Sequence, residues 1–390
     1  MKIALVSPYD FAYPGGVAVH ISYLEHHLAR MGHEVKVIAP ASKAISSFGD
    51  RFIPIGSPRP VPTSGSIARL TLSPWLSSRV KSVLDRERFD IIHLHEPLMP
   101  MLCTTVLRLS QAANIGTFHA CEGSPGYNLA KPFGTWMLKR WFRRLHGKIA
   151  VSKPAREFAC SYFPGYYNII PNGVDVEHFS PSVSPVEDFC DGKLNILFVS
   201  RLEKRKGLNY LLAAFGQVKQ QIPNSRLIVV GPGTRLRRKY EKEVKRSGLK
   251  DVVFTGLVSY EELPRYYKTA DVFCAPATGG ESFGIILLEA MALGKPIVAS
   301  NIEGYANVLA HNADGLLVPP GDKEMLVRAL LSLLTDESLR REMGARGRAK
   351  SLEYSWELIA QNVLKYYMRV LSEPPWRKQF PELEATALSV

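Results

Sequence analysis

Two doubly wound, Rossmann-like α/β domains with parallel sheets are predicted by three observations. Short apolar strands alternate with amphipathic helical segments. The alternation pauses at a Pro- and Ser-bearing stretch, FSPSVSPVEDFCDGK (179–193), and then begins again. The length, 390 residues, also exceeds what one hydrophobic core usually serves.

The first series of strands is KIALVS (2–7), EVKVIA (34–39), FDIIHLH (89–95), IGTFH (115–119), GKIAVS (147–152) and NIIP (168–171). Between the first two, Val17, Ile21, Leu24, Leu28 and Met31 recur at spacings of three and four, one face of a helix that Gly32 stops. The second series is LNILFVS (194–200), RLIVVG (226–231), VVFTG (252–256), DVFCAP (271–276) and PIVAS (296–300), with helices at 207–221 and 284–293 among those between. An N-terminal domain over 1–178 and a C-terminal domain over 190–354 follow. The segment SWELIAQNVLKYYMRVLSE reads as one helix, 355–373, expected to cross back to the first domain. Ligands of such sheets lie at the carboxyl ends of the strands, so the expected site is the cleft between the domains.

Composition narrows the class. The chain is 46% hydrophobic and 22% charged, ordinary for a globular protein, and no apolar run nears the ~18 residues of a membrane span. The start, MKIALVSPYDF, is too short for a signal-peptide core and reads as the first strand. Five scattered cysteines with no C-x-x-C pair argue against disulfides or a zinc site and for a reducing cytosol. The net charge is +13, and residues 1–180 carry 20 Lys/Arg against 12 Asp/Glu, so most of the excess lies in the first half.

Four stretches carry chemistry. PGGV places Gly15 and Gly16 between the first strand and its helix, where bare N–H groups suit phosphate; it is not a G-x-G-x-x-G fingerprint, and a plain turn explains it as well. SRLEKRKG sets Arg201, Arg205 and Lys206 at a strand's carboxyl end before a helix start, where cations are unfavourable unless an anion joins them. A solvated charge cluster is the plain alternative. In APATGGESFGIILLEAM, Glu281 stands at the mouth of a helix beginning near Phe283, and Glu289 follows two turns later on an otherwise apolar helix. Each carboxylate alone has an ordinary explanation, helix-start stabiliser or solvent-facing residue. Together behind a Gly-rich lead, they fit hydroxyl groups of a sugar and a ribose, with the N–H groups of 283–285 turned to phosphate. Finally, KPFGTWMLKRWFRRLHGK (131–148) holds six Lys/Arg and no acid. Phe133, Met137, Trp141 and Leu145 recur every four residues, fitting a helix on an anionic bilayer or one packed on its own sheet.

The E-x7-E stretch, the Arg201/Lys206 pair, IPNGVD (170–175) and PGGV together resemble the retaining GT-B glycosyltransferases of family 4, over nearly the whole chain. PYDFAYPGGV, GSIARL, HLHEP and TFHA are similar to members that mannosylate phosphatidylinositol. The resemblance implies a nucleoside-diphosphate sugar donor such as GDP-mannose, a phospholipid headgroup acceptor, and a peripheral position on the cytoplasmic face of the plasma membrane. It also implies roles. Gly16 approaches the donor diphosphate and Arg201, Arg205 and Lys206 neutralise it. Val258, Ser282, Phe283, Gly284 and Ile285 complete the donor site. Glu281 holds the transferred sugar and Glu289 the ribose. His119 lies beside the reacting sugar, and Tyr9 and Arg69 meet the acceptor headgroup. Departures from that pattern are Ala18, Thr63-Ser64, Leu98 and Leu263, mostly on the acceptor side. No D-x-D motif is present, so no cofactor and no essential divalent ion are implied.

Two other enzymes and one binding protein compete with this reading. A transferase of the same fold acting on a soluble sugar phosphate differs only in acceptor. A nucleic-acid-binding protein is prompted by the charge but supported by no motif. An NAD-linked dehydrogenase lacks its fingerprint.

Overall fold

In the computed structural model, residues 1–13, 15–63, 66–73, 75–122, 138–233 and 235–373 are described. Contacts divide the chain into two units: Met1–Asn172 with the C-terminal segment from Trp356, and Gly173–Ser355.

The first unit is a seven-stranded parallel sheet. Its strands are β1 (Lys2–Val6), β2 (Glu34–Ala39), β3 (Phe52–Pro54), β6 (Ile91–His95), β7 (Ala113–Phe118), β8 (Gly147–Ala150) and β9 (Asn168–Ile169), in the order β3-β2-β1-β6-β7-β8-β9. The strands are continuous apolar runs because both faces are covered. Leu24 and Leu28 of α1 (Gly16–Arg30) pack on one face; Val80 of α2 (Ser77–Glu87) and Val106 of α3 (Leu102–Leu109) pack on the other. The helix α4 (Lys153–Tyr162) starts at Ser152, whose hydroxyl accepts from the Ala155 amide. The last helix, α12 (Trp356–Ser372), buries Ile359, Val363 and Tyr367 in the same core as α1. Its Tyr367 hydroxyl lies 2.6 Å from His93 Nδ1.

A two-stranded antiparallel ribbon, β4 (Pro58–Thr63) and β5 (Ser66–Thr71), was not legible as strand. Prolines at 58, 60 and 62 mask it, yet alternate positions send their missing N–H groups to one edge of the ribbon. A single bridge, Tyr9 to Leu70, ties the ribbon to the loop after β1.

The second unit is a six-stranded parallel sheet in the order β12-β11-β10-β13-β14-β15. Its strands are β10 (Leu194–Val199), β11 (Ser225–Val230), β12 (Val252–Gly256), β13 (Val272–Ala275), β14 (Ile297–Ser300) and β15 (Leu316–Val318). Helices α5 (Leu208–Gln221), α6 (Arg235–Ser247), α7 (Leu263–Thr269), α8 (Ile285–Ala292), α9 (Glu303–Ala306), α10 (Lys323–Thr335) and α11 (Glu337–Leu352) connect or follow them. The stretch 179–193, expected as a linker, packs into this unit, with Phe179 buried 5.9 Å from the Tyr267 ring.

The basic segment 131–148 does not form one helix. Residues 131–137 lie outside the described residues; 138–142 are helical, and from Gly147 the chain is strand β8. Leu138, Trp141 and Phe142 pack against the first unit's core and Leu145 is buried within it. These apolar side chains are spent on the protein's own sheet, while Lys139, Arg140 and Arg143 stay exposed. No helix among the described residues is long and apolar enough to cross a membrane.

Candidate active site

Each sheet reverses its strand order once, between β1 and β6 and between β10 and β13. Loops leaving the carboxyl ends of such neighbouring strands diverge and open a crevice. The candidate residues collect at these two places, one in each unit.

In the second unit, β10 leads through a short turn at Lys204–Lys206 into α5. Gly207 makes the join at φ +76, and a Cβ there would lie 1.8 Å from the Pro276 carbonyl oxygen. Only glycine lets the loops after β10 and β13 touch, which brings the cations to the carboxylate. Arg205 Nη1 donates to Glu281 Oε1 at 2.6 Å and to the Gly280 carbonyl at 2.7 Å. Lys206 Nζ donates to the same Oε1 at 2.5 Å. Glu203 completes the cluster, accepting from Arg205 Nε at 3.0 Å and pairing with Arg201 Nη1 at 3.1 Å. Burial pushes the Lys206 ammonium down, against the pull of Glu281. Three cations thus share two carboxylates at a strand switch, leaving a surplus of positive charge there.

The helix after Glu281 starts later than its sequence suggests. Gly284, at φ +95, is the cap and Ile285 the first helical residue. A Cβ on Gly284 would lie 2.8 Å from the Tyr305 ring, so the helix mouth is set against that ring. Phe283 is buried and serves the core with its side chain; Ser282 is half-buried. Val258 is half-buried at the margin of that core, as are Ile285 and Ile286. Glu289 does not face solvent freely: it is half-buried and its Oε2 accepts from the Tyr267 hydroxyl at 2.7 Å. Burial raises its carboxyl to about 7, opposed by that hydrogen bond.

In the first unit, α1 begins at Gly16 with Gly15 extended before it, and a Cβ on Gly15 would meet nothing within 4 Å. The first turn of α1 holds no acid, and no side chain among the described residues caps it. The Tyr9–Leu70 bridge brings Tyr9 beside Arg69, whose guanidinium stacks 4.5 Å from the Tyr13 ring. Burial pushes the Tyr9 phenol upward.

His119 follows β7 and is not alone. Its Nε2 lies 3.0 Å from His95 Nδ1, at the end of β6. His20 on α1 stands with its ring 4.9 Å from that of His119 and 5.1 Å from that of His95. His20 Nδ1 lies 2.8 Å from Oδ1 of Asn172, in the IPNGVD stretch, and His93 sits beneath between Tyr367 and Thr117. Burial holds all four imidazoles below their usual range, His20 at about 4 and His93 at about 3. The Glu96 carboxylate accepts from the His119 and Ala120 amides, both at 2.8 Å. Glu96 itself is held at φ +50 while its amide donates to the Thr117 carbonyl at 2.8 Å. A non-glycine residue in that region signals a conformation the surroundings impose.

Sequence reasoning thus missed Glu96, His20, His95, Asn172, Glu203 and Tyr267. HLHEP and IPNGVD contain three of these, His95, Glu96 and Asn172, but nothing in either motif says which side chains turn inward.

Comparison with known proteins follows the same division. The family model described as Glycosyltransferase Family 4 matches residues 14–178, and that described as Glycosyl transferases group 1 matches 183–350. The chain is 36% identical over 375 residues to the phosphatidyl-myo-inositol mannosyltransferase of Mycobacterium leprae, covering 95% of this chain and 97% of that protein. It is 34% identical over 379 residues to the protein of that name from Propionibacterium freudenreichii, covering 94% of each. Among solved structures, a glycosyltransferase from Rickettsia africae superposes with a TM-score of 0.78 at 18% identity, covering 95% of this chain and 99% of that one. Sucrose-phosphate synthase from Thermosynechococcus elongatus does so with a TM-score of 0.74 at 24% identity and the same coverage. Both structures speak to the fold.

Proposed function

The chain belongs to glycosyltransferase family 4, and on that premise we propose that it transfers mannose from GDP-mannose to the headgroup of phosphatidylinositol, with retention at the anomeric carbon. The observation that carries the reading is the 36% identity across 95% of the chain to an enzyme of that name. The geometry of each unit supports it.

A nucleoside diphosphate leaves with two negative charges, so preorganised cations and N–H dipoles lower the barrier. Arg201, Arg205 and Lys206 supply cations, and the starts of α1 at Gly16 and of α8 at Ile285 supply N–H groups. Arriving phosphate competes for the two cations on Glu281 Oε1, which frees that carboxylate to accept from a sugar hydroxyl. Glu289 offers Oε1 to the ribose while Tyr267 holds Oε2. Phe283, through its amide, Ser282, Gly284 and Val258 border the same space. His119, neutral and anchored by Glu96 and His95, lies beside the transferred sugar and accepts a hydroxyl hydrogen bond without adding charge. Tyr9 and Arg69 take the acceptor, Arg69 meeting its phosphate. With no carboxylate among the described residues of the acceptor side placed as a nucleophile, attack comes on the face the diphosphate leaves, the diphosphate taking the proton.

The enzyme acts peripherally at the cytoplasmic face, drawn by exposed cations such as Lys139, Arg140 and Arg143, and it requires no divalent ion. The test is turnover with a panel of sugar nucleotides on vesicles with and without phosphatidylinositol. GDP-mannose with phosphatidylinositol should give a mannolipid that chelator does not abolish; transfer only to a soluble sugar phosphate refutes the acceptor.

A further inference from the structure

The histidine cluster has a geometry beyond what sugar transfer needs. Three rings, His20, His95 and His119, come from three different elements and stand at centroid separations of 5.1, 4.9 and 5.2 Å. An equilateral arrangement is what one metal ion imposes: with nitrogens at ~2.0–2.1 Å in a tetrahedral set, ring centroids fall roughly 5 Å apart. One nitrogen of each ring lies within 4.8 Å of the others, and the His95–His119 pair is already at 3.0 Å. The neighbouring contacts also suit ligation. Asn172 engages His20 Nδ1, which leaves Nε2 as the ligand atom and fixes the ring. His95 is fully buried, and its Nδ1, 3.0 Å from His119 Nε2, is the atom it turns to the set. His93, by contrast, has both nitrogens engaged and cannot join.

We propose that His20, His95 and His119 form a three-histidine site for a zinc-class divalent ion, with a fourth position open on the side of half-buried His119. Imidazole suits zinc, copper, nickel or iron rather than magnesium or calcium, and among the described residues no carboxylate joins the set. Closing the set to nitrogen separations of ~3.3 Å moves the rings by on the order of 1 Å, less than a rotamer change. Occupancy takes the lone pair of His119, so the ion inhibits transfer rather than serving it. That last step alone rests on the function proposed above.

Titrating the metal-stripped full chain with zinc chloride by calorimetry, and with cobalt(II) by visible absorption, tests the site. One equivalent should bind, and the cobalt bands should be those of a four- or five-coordinate ion. His95→Gln and His119→Gln should each weaken zinc by at least about tenfold, and Asn172→Ala by about 10- to 100-fold. His26→Gln, on the exposed flank of α1, should change nothing. Circular dichroism identifies any variant that has unfolded. A wild-type chain that takes up no zinc overturns the proposal, as does uptake unchanged in folded His95→Gln. Zinc that binds as expected but leaves mannosyl transfer untouched upholds the site and instead removes His119 from the chemistry.

Discussion

Glu281 is the side chain on which the second unit's cations converge, and its neutral isostere separates charge from shape. Glu281→Gln keeps a carbonyl oxygen for Arg205 and Lys206 but weakens every bond that depends on the negative charge. Losing one charge-assisted bond to a sugar hydroxyl costs ~1.5–3 kcal/mol, which lowers turnover roughly 10- to 150-fold. Turnover equal to wild type would remove Glu281 from the site. Glu289 makes a prediction about pH. Its folded carboxyl titrates at about 7 against the ordinary 4.5, so between these values the folded state holds a proton that the unfolded state lacks. Stability contributed by the protonated form is therefore lost as pH rises through that window, on the order of 3 kcal/mol in all. Glu289→Gln should be the more stable protein at pH 8. Nucleotide affinity runs the other way, because the ionised carboxylate is the better acceptor for ribose hydroxyls. GDP should bind wild type more tightly at pH 8 than at pH 6, and the variant equally at both; calorimetry at the two pH values decides.

At the scale of elements, the stretch 138–150 shows how one motif divides its labour. Trp141, Phe142 and Leu145 anchor the segment in the core, and Arg144 Nη2 donates to the Ser110 carbonyl at 2.8 Å. Arg140 and Arg143 remain on the surface. In the membrane contact proposed above, the described residues of this element contribute through charge, about 1 kcal/mol per cation near an anionic leaflet, and that contribution falls with salt. Arg140→Glu with Arg143→Glu should reduce sedimentation with anionic vesicles and slow transfer to vesicle-borne acceptor, while the melting temperature stays within a degree or two. Sedimentation like wild type would place the membrane surface elsewhere.

The whole molecule carries opposite pH preferences in its two units. The buried imidazoles of the first unit, His20 at about 4 and His93 at about 3, bind protons later than in the unfolded chain. Their contribution is complete above ~6.5, the free imidazole value, and is lost as pH falls towards those folded values. At pH 5 each ring has already cost about 2 kcal/mol. The second unit gains from acid through Glu289. The tryptophans among the described residues, Trp75, Trp141 and Trp356, belong to the first unit, so changes in their emission report that unit. In chelator, acidification should shift tryptophan emission before half of the far-ultraviolet dichroism is lost. A single coincident transition would show that the units unfold together.

Two parallel sheets and their strands other than β3 and β15 were determined by the sequence, as was the placing of Arg205, Lys206 and Glu281 in the loops that leave strand ends. Apolar runs of strand length, helical periodicity and glycine-led loops are local signals, and local backbone physics acts on them directly. Glu281, Arg205 and Lys206 were legible for that reason: each lies in the loop between a strand's carboxyl end and the next helix. Tertiary structure alone decided their partners. That Oε1 of Glu281 takes both cations depends on Gly207 passing under Pro276, a contact across about seventy residues of chain. The histidine cluster was illegible for the same reason, since His20, His95, His119 and Asn172 meet only when four separate elements converge. The basic segment shows the converse limit. Its period is that of an amphipathic helix on either a sheet or a bilayer, and periodicity carries no information about which apolar surface receives it. The core of the first unit supplied that answer for the described residues, by burying Leu145 and packing Leu138, Trp141 and Phe142 against it.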